Sequence, residues 1–139
     1  MLVYLAGTIK YFEAHDEFLK ATEWRKEASN ILKHTHIKTF DPCDKYEQNK
    51  EYASKGVVNQ NLAYLRKSDI ILVNLDGIEK SPGTMFEIFY GYMNHIPVVA
   101  FADNYLYGKQ PHVTESITSY FHKFEDAVDY IQNMFSQEN

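Results

Sequence analysis

The sequence predicts an α/β fold, a single-domain flavodoxin-like or Rossmann-like doubly wound sheet of about five mostly parallel strands with flanking helices. Strand-like and helix-like segments alternate along the 139 residues. Several strand-like segments are continuous apolar runs, which is typical of parallel strands covered on both faces. Because no internal repeat or linker interrupts this alternation, we expect one domain over residues 1–139.

The first half of the chain is predicted to form two strands and two helices. Residues 2–6 form an apolar run that ends at a glycine, and apolar residues recur at helical spacing over residues 16–32. A short strand over residues 36–40 is predicted to stop at the Asp-Pro pair that follows it. A second helix is predicted over residues 56–67.

The second half continues the alternation. An apolar strand closed by Asp-Gly is followed by a helix, a strand, a loop, a short strand and a last helix. The predicted ranges are 70–75, 83–94, 97–101, 102–116, 117–121 and 125–135.

Composition excludes several classes of protein. Lys plus Arg number 14 and Asp plus Glu 19, a net charge of −5 without any basic run, so no polymeric nucleic acid is expected as a partner. A hydrophobic fraction of 45% excludes a disordered chain. The single cysteine, Cys43, favours a reducing cytoplasm, and no apolar run reaches the length of a membrane span. The histidines form no cluster with metal-ligand spacing, and we expect neither metal nor cofactor.

Ligands of doubly wound sheets bind beyond the carboxyl ends of the strands. The loop Gly7-Thr8-Ile9-Lys10 offers backbone N–H groups, a hydroxyl and a cation there, which are phosphate-binding components, although an ordinary turn has the same composition. Ser81-Pro82 begins a helix whose free N–H groups and dipole attract anions. A plain capped helix would carry the same residues.

Glu87 lies in an otherwise apolar helix. Gly83 and Gly91 precede and follow it by four residues, so the pattern predicts room for a ligand beside the carboxylate. Glycine inside a helix costs about 1 kcal/mol relative to alanine, which indicates a packing or functional reason. The alternative is a solvated Glu near the helix start. Arg25, beside Trp24, is expected to form a structural ion pair rather than to reach the ligand.

Four segments resemble nucleoside 2-deoxyribosyltransferases: VYLAGT at 3–8, KSDIILV at 67–73, GTMFE at 83–87 and PVV at 97–99. The resemblance implies an enzyme of nucleotide metabolism and salvage that cleaves the N-glycosidic bond of 2′-deoxynucleosides and passes the sugar to another base. It implies that Glu87 is the nucleophile of a covalent deoxyribosyl-enzyme, and that Tyr4 and Gly7 line the sugar and base pocket. It also implies a homodimer or larger homo-oligomer.

Two positions depart from the family pattern. Asn61 stands where the family has an Asp that handles the proton of the base, and an amide is no general acid. The proton would then come from water or from another carboxylate, with Asp76 as the candidate donor, unless the leaving base is already cationic and needs no proton. Ser81 stands where transferases of free nucleosides have an Asp. In this it resembles the deoxynucleoside 5′-monophosphate N-glycosidases, whose first loop has residues like Thr8 and Lys10.

The resemblance therefore implies a substrate with or without a 5′-phosphate, bound by Ser81, Gly83 and Thr84 together with the first loop. The partners expected are a small nucleoside or nucleotide and a free nucleobase. Three alternatives stay open: a hydrolytic nucleotide N-glycosidase, a non-catalytic nucleotide-binding or sensing module, and an electron carrier suggested by fold alone.

Overall fold

The structure, a computed structural model, describes residues 1–45 and 51–135. Its strands are β1 Leu2–Gly7, β2 Lys38–Phe40, β3 Ile70–Asn74, β4 Val98–Phe101 and β5 Ser119–Phe121. Its α-helices are α1 Lys10–Ala14, α2 Leu19–Lys33, α3 Ser54–Lys67, α4 Pro82–Met93, α5 Pro111–Ser116 and α6 Phe124–Phe135. Short 3-10 helices span Pro42–Lys45 and Ile78–Lys80.

The five strands form one parallel sheet in the order β2-β1-β3-β4-β5. This confirms the predicted doubly wound α/β fold. The chain leaves β1 toward β2 on one side and then returns to β3 on the other, so the switch in strand order lies at β1 and β3. β1 pairs with β3 as far as Gly7 but with β2 only as far as Tyr4, because β2 ends at Phe40. The last part of β1 therefore has a strand neighbour on one side only.

Alternating residues of the strands serve two cores. Side chains such as Tyr4 and Ile71 pack on the face covered by α3, α4 and α5. Their neighbours along the strands, such as Leu5 and Leu72, pack against α2 and α6 on the opposite face. Burial on both faces explains why β1, β3 and β4 read as continuous apolar runs.

The predicted helix over residues 16–32 is wrong at its start. The helical structure falls into α1 and α2, and between them Asp16 adopts a φ of 54°, which no α-helix continues through. The predicted strand over residues 36–40 is also too long. His36 has a φ of 61° in the turn that leaves α2, so β2 begins only at Lys38.

The predicted loop over residues 102–116 contains a short helix. Pro111 occupies the first turn of α5, and the side chain of Gln110 accepts a hydrogen bond from the backbone N–H of His112 at 2.6 Å. Gln is an uncommon N-cap, which is why the helix start escaped detection. Among the described residues, no helix has both the length and the apolar character that a membrane crossing needs.

Candidate active site

A cavity of about 810 Å³ lies beyond the carboxyl ends of β1 and β3. Its lining comes from the loop after β1, from Arg25 of α2, from the start of α3 with the residues before it, and from the start of α4 with the residues before it. This is the switch point where doubly wound sheets bind ligands. This cavity is therefore the candidate active site.

Glu87 lies on the cavity lining and is 8% exposed. The helix that carries it begins with Ser81 as N-cap and Pro82 in the first turn, and so starts directly after the 3-10 helix that follows β3. The Tyr4 hydroxyl, from the adjoining β1, donates a hydrogen bond to Oε2 of Glu87. A strand and a helix thus fix the carboxylate between them.

Burial raises the pKa of Glu87 to about 7, while the hydrogen bond from Tyr4 and the positive charge of Arg25 act in the opposite direction. Burial, followed by the neighbouring Glu87, raises the pKa of Tyr4 far above its ordinary value. Tyr4 therefore keeps its proton and acts as a donor. The carboxyl group of Glu87 changes its charge near neutral pH, which suits either a nucleophile or a proton carrier.

The two glycines that flank Glu87 in α4 have different structural roles. A Cβ on Gly83 would meet nothing within 4 Å, and this glycine lines the cavity, in agreement with the predicted open space. A Cβ on Gly91 would lie 2.6 Å from Cδ1 of Ile71 and 3.1 Å from Cγ2 of Val98. Gly91 thus lets α4 pack closely on β3 and β4, and the prediction that it opens space for a ligand is wrong.

Most of the site residues predicted from the sequence meet at this cavity. Those on its lining are Gly7, Lys10, Asn61, Ser81, Gly83, Thr84 and Glu87. Tyr4 reaches the site through its hydrogen bond to Glu87. Thr8 and Asp76 are absent from the lining within the part of the chain that the structure describes.

Thr8 and Asp76 contact other parts of the fold. The Thr8 hydroxyl donates to the backbone carbonyl of Asp76 at 3.2 Å, and its side chain packs against Gly77. The Asp76 carboxylate accepts the backbone N–H groups of Asp103, Asn104 and Tyr105 at 2.8–3.1 Å. These contacts tie the turn after β3 to the loop after β4 and use the lone pairs of the carboxylate.

The start of α4 combines a cap with nearby cations. Ser81 Oγ lies 2.7 Å from Oγ1 of Thr84 and accepts the Thr84 backbone N–H at 3.4 Å, so its hydroxyl does cap the helix. Lys10 and Lys80 both line the cavity. Sequence analysis missed Lys80, although its place directly before the Ser-Pro helix start could have identified it. The helix start and two lysines together favour an anion.

The opposite wall comes from α3 and the residues before it. Its side chains include the amides Gln60 and Asn61 and the apolar Val57 and Val58. Amides form hydrogen bonds with the edge of a planar heterocycle, and the valines offer apolar contact with its face. This wall therefore suits a nucleobase, whereas the start of α4 suits an anion.

Arg25 also lines the cavity, although its side chain is 1% exposed. The ion pair predicted for it is present, with Nε 3.6 Å from Oδ1 of Asp41. Its position at the cavity agrees with the alternative that its head group reaches toward a ligand, which the sequence analysis placed second to the ion pair.

Comparison with known proteins agrees with this geometry. The sequence model of the family described as nucleoside 2-deoxyribosyltransferase matches residues 3–126. No curated protein is significantly similar to the chain.

Three solved structures share the fold. The 2-deoxyribosyltransferase of Bacillus psychrosaccharolyticus is 20% identical with a TM-score of 0.70, over 94% of this chain and 92% of its own. A conserved protein of Enterococcus faecalis is 17% identical with a TM-score of 0.74, over 97% and 99%. The 2-deoxyribosyltransferase of Leishmania mexicana is 18% identical with a TM-score of 0.70, over 96% and 98%. The match of the family model over most of the sequence shows that the chain belongs to the nucleoside 2-deoxyribosyltransferase family.

Proposed function

We propose that the protein cleaves the N-glycosidic bond of 2′-deoxynucleosides or their 5′-monophosphates and transfers the deoxyribosyl group to another nucleobase. The observation that carries the proposal is the buried Glu87 carboxyl, held by the Tyr4 hydroxyl at the edge of a cavity large enough for a nucleotide. Membership of the family supports the same reaction class.

Glu87 is the nucleophile in this proposal. Tyr4 holds Oε2, and we assign the attack on C1′ of the sugar to Oε1. The new C1′–O bond forms as the C1′–N bond breaks, and the departing base takes the electron pair. A second base then attacks C1′ and releases the Glu87 carboxylate, so that two inversions retain the configuration.

Asn61 binds the base rather than protonating it. Its amide lies on the α3 wall and donates or accepts hydrogen bonds at the base edge, but it has no acidic proton to give. Because the three backbone donors at Asp76 hold its carboxylate outside the cavity lining, we assign no proton transfer to it. In this proposal solvent water supplies the proton that the leaving base requires, and the entering base returns a proton to solvent when it attacks C1′.

The 5′-phosphate binds at the start of α4 in this proposal. Ser81, Gly83 and Thr84 belong to the first turn and its cap, where backbone N–H groups and the helix dipole attract an anion. Lys10 and Lys80 line the cavity with them and supply positive charge. No carboxylate of the α4 start opposes a phosphate, because Ser81 occupies the place of the family Asp.

Chromatography of deoxynucleosides and their monophosphates, incubated with and without a second free base, tests the proposal. We expect base exchange, and we expect Glu87→Ala to abolish it, whereas Glu23→Gln on the exposed face of α2 leaves it intact. Release of sugar or sugar phosphate without exchange would instead identify a hydrolytic N-glycosidase. Binding without turnover would identify a sensing module.

We further propose a cytoplasmic homodimer or larger homo-oligomer. Three large apolar side chains of α4 are exposed: Phe86 at 49%, Tyr92 at 48% and Met93 at 72%. Contact between copies would remove this surface from water. Analytical ultracentrifugation checks the oligomer, and a monomer at all concentrations would contradict it.

A further inference from the structure

The guanidinium of Arg25 occupies the place of a missing strand. Carbonyls of alternate residues of β1 point toward β2, as the bond from the Lys38 N–H to the Met1 carbonyl shows at the start of the strand. β2 ends opposite Tyr4, so the later carbonyls on that side have no strand to pair with. Those of Leu5 and Gly7 accept hydrogen bonds from Arg25 instead, at 3.4 Å and 2.9 Å.

The contacts of Arg25 hold this side chain rigidly. Its third hydrogen bond goes to the Ala21 carbonyl at 2.6 Å, and its Cζ lies 4.9 Å from the centre of the Trp24 ring. Asp41, which is 5% exposed and accepts the Cys43 backbone N–H at 2.8 Å, is the partner carboxylate. A buried cation with this many fixed contacts cannot turn away from the site.

The end of β1 that Arg25 holds is part of the candidate active site. Tyr4 and Gly7 belong to this strand, and Tyr4 donates to Glu87. Among residues 1–45 and 51–135, the titratable and charged groups around Glu87 are Tyr4 from β1 and Arg25 from α2, with Lys10, Tyr11, Glu51, Tyr52 and Lys80 on the cavity lining. Of these, Arg25 is the buried cation, so the surrounding water screens its charge least.

We propose that Arg25 is a positioning residue of the active site, which fixes the end of β1 in place of a strand and sets a permanent positive charge that favours the ionised Glu87. This inference rests on the proposed function for its catalytic meaning, while its geometry and charge do not. In agreement with this proposal, the positive charge of Arg25 lowers the pKa of Glu87, which burial raises.

The titration of Glu87 can be measured without any turnover. The free energy of unfolding is determined between pH 4.5 and 9 for each background with and without Glu87→Gln. The difference between the two falls above the unfolded-state pKa and flattens above the folded-state pKa, so a fit of the difference curve gives the midpoint of the Glu87 titration in the folded protein. We expect a midpoint near pH 7 in the natural sequence. In Arg25→Met combined with Asp41→Asn, which removes both charges of the pair, the midpoint should rise by about one pH unit or more.

Two matched variants separate charge from packing. Arg25→Lys keeps the charge and should leave the midpoint close to pH 7, and Asp41→Asn alone should not raise it. An unchanged midpoint in the doubly neutralised variant, or an equal rise in the lysine variant, would overturn the proposal. If the neutralised variant does not fold, a rise in Asp41→Asn alone overturns it.

Activity provides the second readout. The acid limb of the pH profile of kcat/KM should move with the midpoint in each variant, which a merely structural role of Arg25 would not produce. If no variant, including the natural sequence, turns over any nucleoside or nucleotide, the proposed function fails. The unfolding measurements still decide the role of Arg25 in that case.

Discussion

Replacing Glu87 by glutamine should stabilise the protein above neutral pH. Burial raises the pKa of Glu87 from 4.5 to about 7, so the folded protein binds a proton that the unfolded chain releases between these values. Stability therefore falls as the pH rises through this window, and the full cost is present above pH 7. At about 1.4 kcal/mol per pH unit, the gap corresponds to about 3 kcal/mol. Glutamine has nearly the same shape, carries no charge and still accepts the hydrogen bond from Tyr4.

Urea unfolding followed by circular dichroism measures this difference. At about pH 8, Glu87→Gln should be more stable than the natural sequence by up to about 3 kcal/mol, and at about pH 4.5 the two should nearly coincide. Glu23→Gln, at an exposed position of α2, controls for the substitution itself. A Glu87→Gln variant that is destabilised equally at both pH values would refute the argument that burial disfavours the ionised form of Glu87. Since the same variant should lose the proposed transferase activity, stability and that proposed function oppose each other at this residue.

Four other substitutions have distinct expected outcomes. Gly91→Ala should destabilise the protein by about 1–3 kcal/mol because the new methyl group meets β3 and β4. Gly83→Ala should keep or raise the melting temperature but lower kcat/KM, because it places a methyl group in the cavity. Equal effects of the two alanines on stability would contradict this. Lys80→Met should lower kcat/KM for a deoxynucleoside monophosphate by about tenfold and leave the free nucleoside unaffected, and equal losses for both would show that Lys80 does not contact the phosphate. Asp76→Asn should lower the free energy of unfolding in urea by about 1 kcal/mol, because an amide cannot accept all three backbone N–H groups, and activity should be retained. Loss of turnover in a folded variant would make Asp76 a candidate proton donor again.

The layers of the fold follow from patterns that the sequence displays, whereas the strand order was left open between a flavodoxin-like and a Rossmann-like sheet. Apolar runs such as 70–74 mark strands buried on both faces, and the alternation with helices requires crossovers of one hand. What escaped prediction depends on single backbone conformations. Asp16 and His36 adopt positive φ values, at which Asp and His are enriched, but residue type alone does not indicate which Asp or His of a chain does so.

Site residues were predictable from the sequence where their loops follow the carboxyl end of a strand. Lys10, Ser81 and Glu87 lie on the cavity as the position of their loops indicates. Side-chain direction was not predictable. Thr8 and Asp76 follow β1 and β3, yet the Thr8 hydroxyl donates to the Asp76 backbone carbonyl, and the Asp76 carboxylate accepts N–H groups of the loop after β4. The spacing of residues along a chain does not encode which way a loop side chain turns.

The tight contact between Trp24 and Gly7 gives the protein an internal optical probe. A Cβ on Gly7 would lie 3.0 Å from Cζ2 of this indole, which is the only tryptophan of the chain and is 9% exposed. The ring also meets Phe101 edge-on at 5.3 Å between centroids, so it is held from two sides. Any ligand that displaces the end of β1 must therefore alter the surroundings of one identifiable fluorophore. Ligand binding that shifts the end of β1 can therefore be followed by tryptophan emission in the natural sequence, without a label and without a reaction.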